Sequence, residues 1–504
     1  MPGRESFLKS IRSAFVWKSL EKSTSFLKHL IVASMVGLSV QLDIFYMAIA
    51  LIGVFVFSWA RLVDVLAVPR LVKYHQDRNR SAFASLAGGL FNFSLLFSLL
   101  LTTLILTFSE PISRIAYGFE PARKALLSES FVWLAPAMIF YIPLFQLGSV
   151  CRALRCFSAF YRAEFLIGAI ALVLIFLYPD HPQVLLWSFS TGVFGAFCLL
   201  CISARKFLNW RTHPFSADIR VILKSSPGLL SLQFFHYLLI LSDRWFVSFL
   251  PKGNLGALAY GRMLSFLLVG LLNMQGAFLT VFSELDEALV KKNRVYNDFF
   301  SLSVFMALPA SIFLILMGQD VVSILLERGV FSSDDTILVY RALAGFSWSL
   351  FPMIVLGPLE QIFQAQGKIN LLVWRKVIGM LVNVLGNYFF LFVLGWGVFG
   401  IAAASSVSYW AVLLCGIAAL RKIGLSLMCK RVLAWSLWML SVSLLAAFLI
   451  LQAGRHIDWP ILIYLKPFIF AAIIIPAGFF YWGPEGALVK ATLMRLRPGG
   501  KSLL

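Results

Sequence analysis

The chain has 504 residues, 60% of them apolar and only 13% charged, and its mean hydropathy is +0.87. No soluble globular domain of ordinary composition has such values, so the solvent is lipid. The formal net charge of +20 lies in short clusters between apolar runs of bilayer length, where Lys and Arg set topology and leave no room for a nucleic-acid groove.

Windows of about 20 apolar residues predict fourteen transmembrane helices, at 15–38, 41–67, 82–108, 126–150, 157–178, 183–204, 226–249, 255–283, 297–318, 340–365, 370–394, 398–420, 431–453 and 460–482. All are expected to be α-helical, because an unpaired backbone amide in lipid costs several kcal/mol and the runs are too long for barrel strands. The first run follows Arg4, Lys9, Arg12 and Lys18 with no small-residue cleavage site, so it is expected to stay as a membrane anchor.

On this first helix Lys18, Glu21, Lys22, Ser25, Lys28 and His29 recur at three- and four-residue spacing and form one polar stripe. Lys18 reads as snorkelling to the interface, and Lys22 fits that reading or a cavity-facing one. Lys28 lies too deep to snorkel, and its ammonium needs water or an anion. Lipid-linked pyrophosphate is such an anion, with Glu21, one turn from Ser25 and two from Lys28, as a partial counter-charge when the cavity is empty. For His29 a satisfied structural role is favoured over titration in a cavity. Arg61 on the second helix is a further charge at membrane depth.

After the third helix comes "EPISRIAYGFEPARKALL", which is echoed after the ninth by "QDVVSILLERGVFSSDDT", each with a Gly (Gly118, Gly329) before an aromatic or apolar pair. The fourth and tenth helices share a Trp with nearby prolines, in "WLAPAMIFYIPLFQ" and "WSLFPMIVLGPLEQ". An offset of six helices is even, so the halves form a parallel repeat. The expected organisation is an N-terminal lobe at 1–210, a C-terminal lobe at 211–424, and a helix pair with a tail at 425–504.

Cys151, Cys156, Cys198, Cys201, Cys415 and Cys429 fall in apolar runs or beside basic loops, so reduced thiols are expected. Cys198-Leu-Leu-Cys201 has no second ligand pair and reads as two membrane thiols. In the seventh helix stand Asp243 and Arg244, in the eighth Arg262, in the tenth Glu360, and in the eleventh Asn383 and Asn387 four residues apart. Oxygen ligands on two helices suit a hard cation such as sodium. An Asp–Arg pair and interhelical Asn hydrogen bonds explain the same residues without an ion, and Glu360 fits ion or proton coupling as well as an interface position.

Counting Lys and Arg over loops and helix ends with the N-terminus inside puts about 30 of the 43 in the cytoplasm and about eight outside. Arg70, Lys73, Arg205, Lys206, Lys291, Lys292, Arg421 and Lys430 are inside; Arg114, Arg123, Lys124, Lys252 and Arg328 are outside. Both termini are therefore expected in the cytoplasm. No phosphate-binding Gly loop, dinucleotide fingerprint or soluble stretch of domain length is present, so a transporter without an enzymatic cofactor is expected.

The runs "FLKHLIVASMVGLSVQLDIFYMA", "SDRWFVSFLPKGNLGALAYGRML", "LLERGVFSSDDT" and "QIFQAQGKINLLVWRKVIGMLVNVLGNYFFLFVLGWGVFGIAAASSVS" resemble the lipid II flippase (MurJ/MviN) family of the multidrug/oligosaccharidyl-lipid/polysaccharide exporter superfamily. The resemblance implies an all-α, two-lobed transporter in the bacterial inner membrane. Its central cationic cavity would hold the head group of a polyprenyl-linked glycan precursor, with membrane lipids and cell-wall synthesis proteins as partners. Two basic residues of the family's first helix fall on Lys22 and Lys28, and its acid at the outer start of the second helix on Asp43. The family's adjacent Arg pair has no counterpart here, only Arg61 nearby, and its eighth-helix cation falls one position from Arg262. Lys22, Ser25, Lys28, Arg61 and Arg262 are thus the implied substrate contacts, Asp43 and Glu21 the implied gate. Sodium, which some members bind, would fall to Asp243, Asn383 and Asn387, the last replacing an acid. The alternatives are an O-antigen or capsule-unit flippase, a cation-coupled drug extruder, which the basic stripe opposes, and a scaffold of cell-wall assembly that transports nothing.

Overall fold

The computed structural model describes residues 7–224, 227–272, 289–365, 368–421, 424, 429–456, 462–481, 483–486 and 489. Among the described residues every regular element is a helix. A helix occupies each of the fourteen expected positions; among the described residues nine are individually long and apolar enough to cross a membrane, or ten with one bent pair taken as a single span. The first falls short because its stripe is charged. Beyond Leu272, the expected helix at 255–283 lies outside the described residues, as do residues 460, 461 and 482 of the last and most of the tail.

The chain packs as two compact units, Met1–Gly256 with Arg328–Asp335, and Ala257–Glu327 with Thr336–Leu504. The first unit holds α1 (Phe7–Val36), α2 (Val40–Ile52), α3 (Ser58–Gln76), α4 (Arg80–Thr107), α5 (Ser109–Ser113), α6 (Pro121–Ala153), α7 (Phe157–Leu177), α8 (Val184–Ala204), α9 (Ala217–Lys224), α10 (Pro227–Val247) and the first turn of α11 (Asn254–Leu272). Gly37 ends α1 at φ +60°, a conformation open to glycine without a Cβ penalty. Two residues on, the Ser39 hydroxyl accepts the Leu42 amide at 3.3 Å and caps α2. A π-helical turn, Gly53–Phe57, joins α2 to α3, and a Cβ on Gly53 would sit 3.0 Å from the Tyr237 ring of α10. Between α8 and α10 the chain is tied along α4, where Asn92 donates to the Trp210 and Thr212 carbonyls at 2.9 and 2.8 Å. Tyr74 of α3 donates to Asp218 of α9 at 3.3 Å.

Both echoed loops dock by their glycines within this unit. The Gly118 amide donates to Ser248 Oγ at 3.1 Å, and a Cβ there would lie 2.5 Å from the Ser248 carbonyl just past α10. Gly329 stands at φ +62° with its Cβ position 2.2 Å from the Ser34 carbonyl of α1; the Val330 amide donates to that carbonyl at 3.0 Å. The loop after the third expected helix thus covers the end of the seventh, and the loop after the ninth covers the end of the first.

The second unit contains the rest of α11, α12 (Leu289–Leu326), most of α13 (Ser333–Ser347), α14 (Leu350–Ala365), α15 (Ile369–Tyr388), α16 (Gly397–Arg421), α17 (Cys429–His456) and α18 (Leu462–Phe480). The continuous helix expected at 340–365 is instead α13 and α14, bent by 49°. The second helix opens two residues before Pro352, whose missing amide is tolerated in a first turn; the Ser349 hydroxyl donates to the Phe346 carbonyl at 2.6 Å. The last two helices pack on α12: the Trp435 indole donates to the Ser301 carbonyl at 2.9 Å, and Lys466 pairs with Asp320 at 2.6 Å. Arg431 pairs with the buried Glu485. Each of these charges has its counter-charge, without which burial in a membrane helix costs several kcal/mol.

Candidate functional site

In the first unit the stripe on α1 lies along α7. Lys18 sits 6.0 Å over the Tyr161 ring, Trp17 meets Phe165 edge-on at 5.6 Å, and Thr24 Cγ2 is 3.4 Å from the Cβ position of Gly168. Lys22 is 68% exposed and 3.3 Å from the Glu21 carboxylate, which is 18% exposed. Glu21 therefore acts as a partner of Lys22 in this structure. Ser25 and Lys28 are half-buried, and Glu21 lies near enough to act electrostatically on Lys28. His29 Nδ1 donates to the Ser25 carbonyl at 2.6 Å, the local satisfied role expected of it.

Arg61 of α3 is exposed, with its guanidinium 4.9 Å over the Phe145 ring of α6 and hydrogen-bonded to Tyr237 of α10. Two charged residues that sequence reasoning passed over belong to the same neighbourhood. Glu164, half-buried on α7, interacts electrostatically with Glu21, Arg61, Lys22 and Arg152. Arg152, near the end of α6, lies 4.1 Å over the Phe160 ring. An acid and an arginine at the ends of two otherwise apolar runs were the available signal.

Asp43 is 1% exposed. Its Oδ2 accepts the Gly253 amide at 2.7 Å and Arg123 Nη2 at 2.9 Å, and its Oδ1 accepts the Gly256 amide at 2.9 Å. The carboxylate thereby caps the first turn of α11, where free amides and the helix dipole favour an anion, and holds the start of α6 through Arg123. The sequence counted Arg123 only as a topology charge. Asp243, also in this unit, is fully buried. Arg244 beside it donates to the Tyr46 carbonyl of α2 and lies 5.5 Å over that residue's ring.

The remaining predicted residues belong to the second unit. Arg262 Nη2 is 3.5 Å from the Tyr409 hydroxyl and the guanidinium is 5.1 Å from the Phe266 ring. Asn383 and Asn387, both fully buried, form a ladder in which Asn387 donates to Asn383 at 3.1 Å and Asn383 to Ser405 of α16 at 3.2 Å. Glu360 pairs with Lys376 of α15 at 2.8 Å. The structure thus gathers Glu21, Lys22, Ser25, Lys28 and Arg61 in one unit and Arg262, Asn383 and Asn387 in the other.

Comparison with known proteins bears on most of the chain. Among curated proteins, the probable lipid II flippase MurJ of Buchnera aphidicola subsp. Acyrthosiphon pisum (strain APS) is 25% identical over 429 residues, 80% of this chain and 82% of that protein. Among solved structures, a lipid II flippase MurJ in an inward closed conformation aligns with a TM-score of 0.80 at 18% identity, over 93% of this chain and 98% of that one. A MATE family multidrug resistance transporter, in an inward-facing conformation, aligns at 0.62 with 13% identity over 84% and 98%. These two likenesses establish a shared fold. The family profile described as lipid II flippase MurJ matches residues 32–470, which begins just after Lys28 and takes in Asp43, Arg61 and Arg262. With that much of its length matched, the chain belongs to the lipid II flippase MurJ family.

Proposed function

We propose that this multi-pass membrane protein carries a polyprenyl-pyrophosphate-linked glycan precursor, peptidoglycan lipid II, from the inner to the outer leaflet of the bacterial plasma membrane by alternating access. The observation that carries the reading is the gathering of Lys22, Lys28 and Arg61 on α1 and α3 of one unit of a MurJ-family chain. A pyrophosphate brings negative charge that lipid cannot solvate; ammonium groups meet it as point charges, and a guanidinium adds a forked contact. Arg262 would supply a further cation, and Asp43, by releasing the first turn of α11, would act as the gate. The Lys and Arg bias supports cytoplasmic termini, and the even helix offset supports lobes that rock about the substrate.

Complementation of a strain depleted of its lipid II flippase tests this reading. The parent chain is expected to restore growth, Lys28→Arg to do so as well, and Lys28→Ala to fail while inserting normally, since removing a cavity charge relieves desolvation. Lys28→Glu is expected to be worse than Ala. Full growth with Lys28→Glu at normal expression would remove Lys28 from the head-group site and the cationic mechanism with it.

A further inference from the structure

We infer that a groove between α3, α4 and α9 holds one acyl chain of an anionic phospholipid, whose headgroup rests on Arg211, Arg220 and Lys224. The connection from α8 to α10 builds it by lying along α4. The Asn209 amide donates to the Ala84 carbonyl at 2.9 Å, and the Asn209 carbonyl takes the place that a Cβ on Gly88 would need. Trp210 then meets Phe91 edge-on at 5.0 Å, Phe215 meets Phe93 edge-on at 5.9 Å, and Ile219 of α9 closes to 2.9 Å from the Cβ position of Gly89.

Beyond these contacts Trp59 of α3, four apolar residues of α4 from Phe93 to Leu100, Phe215, and Leu223 of α9 line a groove of about 380 Å³. Its walls are packed rings: Phe93 stacks on Phe97 at 5.7 Å, and Phe97 lies 4.5 Å from Trp59. Leu96, Leu100 and Phe215 remain exposed, so the groove opens outward, and no charged side chain lines it. Water gains no partners in so apolar a space, whereas hydrocarbon is the neighbouring solvent. Trp is a residue type that collects at headgroup depth. From Trp210, held beside Phe91, the groove runs along α4 from Phe93 to Leu100, away from the Arg80 end and over about 10 Å.

The rim on α9 is cationic. Ile219 and Ile222 are buried, while Arg220 and Lys224 are exposed. At about 100° per residue Leu223 stands between the buried pair and the side that Arg220 and Lys224 share. Over residues 205–224 Asp218 is the one acid against Arg205, Lys206, Arg211, Arg220 and Lys224. That acid is already engaged, since Tyr74 donates to its Oδ2 at 3.3 Å and Arg70 to its backbone carbonyl at 3.0 Å. An uncharged lipid would fill the groove and leave the cations to water; free phosphate would meet the cations and leave the groove. A phospholipid with a net negative headgroup matches both, and basic clusters at the cytoplasmic surface attract such lipids. So seated, it splints α9 to α3 and α4, and with α9 the segment that leads into α10.

The test is a titration of the purified full-length protein in detergent micelles with dioleoylphosphatidylglycerol and dioleoylphosphatidylcholine, read by native mass spectrometry. The parent is expected to bind the glycerol lipid roughly tenfold more tightly, the scale set by surface cations acting on one headgroup charge. Arg220→Gln with Lys224→Gln is expected to remove most of that preference and to leave the choline lipid unchanged. Equal affinities in the parent, or a full preference in the double variant, overturn the inference. Phosphatidylglycerol brominated on its acyl chains places the chain: it is expected to quench tryptophan fluorescence more in the parent than in Trp59→Phe, and equal quenching overturns the groove. If Trp59→Phe does not fold, Leu96→Trp, which fills the groove from its exposed side, is expected to weaken phosphatidylglycerol binding several-fold. Unchanged binding by that variant overturns the inference, as does displacement of the lipid by inorganic phosphate alone, which would mark a headgroup site without a chain.

Discussion

Asp43→Asn is the substitution whose effect the structure specifies most closely. The carboxylate is 1% exposed and accepts two backbone amides, from Gly253 and Gly256, and the Arg123 guanidinium, all at 2.7–2.9 Å. Asn keeps the volume and one acceptor oxygen. Its amide nitrogen must then face a donor, either the Arg123 guanidinium or a helix-end N–H, and Arg123, itself 13% exposed, loses its counter-charge. Hydrogen bonds to charged groups contribute about 1.5–3 kcal/mol each, and breaking a buried pair from one side costs about 3–5 kcal/mol. A net loss of about 3 kcal/mol shifts the release of α11's first turn by about a hundredfold. Leu255, 2% exposed within that turn, reports on it: in a cysteine-free background, Leu255→Cys is expected to resist maleimide in the parent and to react much faster with Asp43→Asn. Arg123→Gln removes the donor clash, so the double variant is expected to be less labile than the sum of the singles. Equal labelling rates in parent and Asp43→Asn would refute the idea that this carboxylate holds the turn.

Topology is open to the same chemistry: with Lys and Arg biased inward, Ser332→Cys is expected to label from outside intact cells and Arg294→Cys only after permeabilisation, and the reverse pattern inverts the orientation. Gly329→Ala is expected to lower the melting temperature by several degrees, because the residue must hold φ +62° with a methyl 2.2 Å from the Ser34 carbonyl; an unchanged melting curve would mean the loop docks elsewhere. For Asp243, which the family resemblance implies as a sodium ligand, melting in sodium against choline is the measure, with the parent expected to be stabilised by sodium and Asp243→Asn indifferent to it. A parent that melts alike in both salts leaves Asp243 as a packing group.

Helix positions were legible because lipid admits few alternatives: a run of some twenty apolar residues must close its own backbone hydrogen bonds. Breaks within runs were not. The kink between Ser347 and Leu350 and the π-helical turns at Gly53–Phe57 and Phe389–Val393 leave window hydropathy unchanged, although Pro352 marked the first. At the site, Lys22 and Lys28 announced themselves as charges at membrane depth. Asp43 was found through family resemblance, yet its partners were invisible, since two of them are backbone amides far along the chain and amides carry no residue signature. Arg123 had an adequate explanation as a topology charge, which concealed its second role as a partner of Asp43. The Asn383–Asn387 ladder shows the opposite limit: four-residue spacing revealed a shared face, but the Ser405 partner required the packing of α15 on α16.

The docking of the two glycine loops has a temporal side. The last turn of α1 receives its cover from Gly329 and Val330, which a ribosome delivers only after nine helices have entered the membrane, whereas Gly118 is waiting when Ser248 arrives. One crossing is thus completed as soon as its second partner is made, and the other stays unfinished through most of translation. The early intermediate must keep the end of α1 and the charged stripe beneath it inserted without the loop that later seals them. A chain arrested before Gly329 is therefore expected to expose the end of α1 to proteolysis even when its first nine helices are in place.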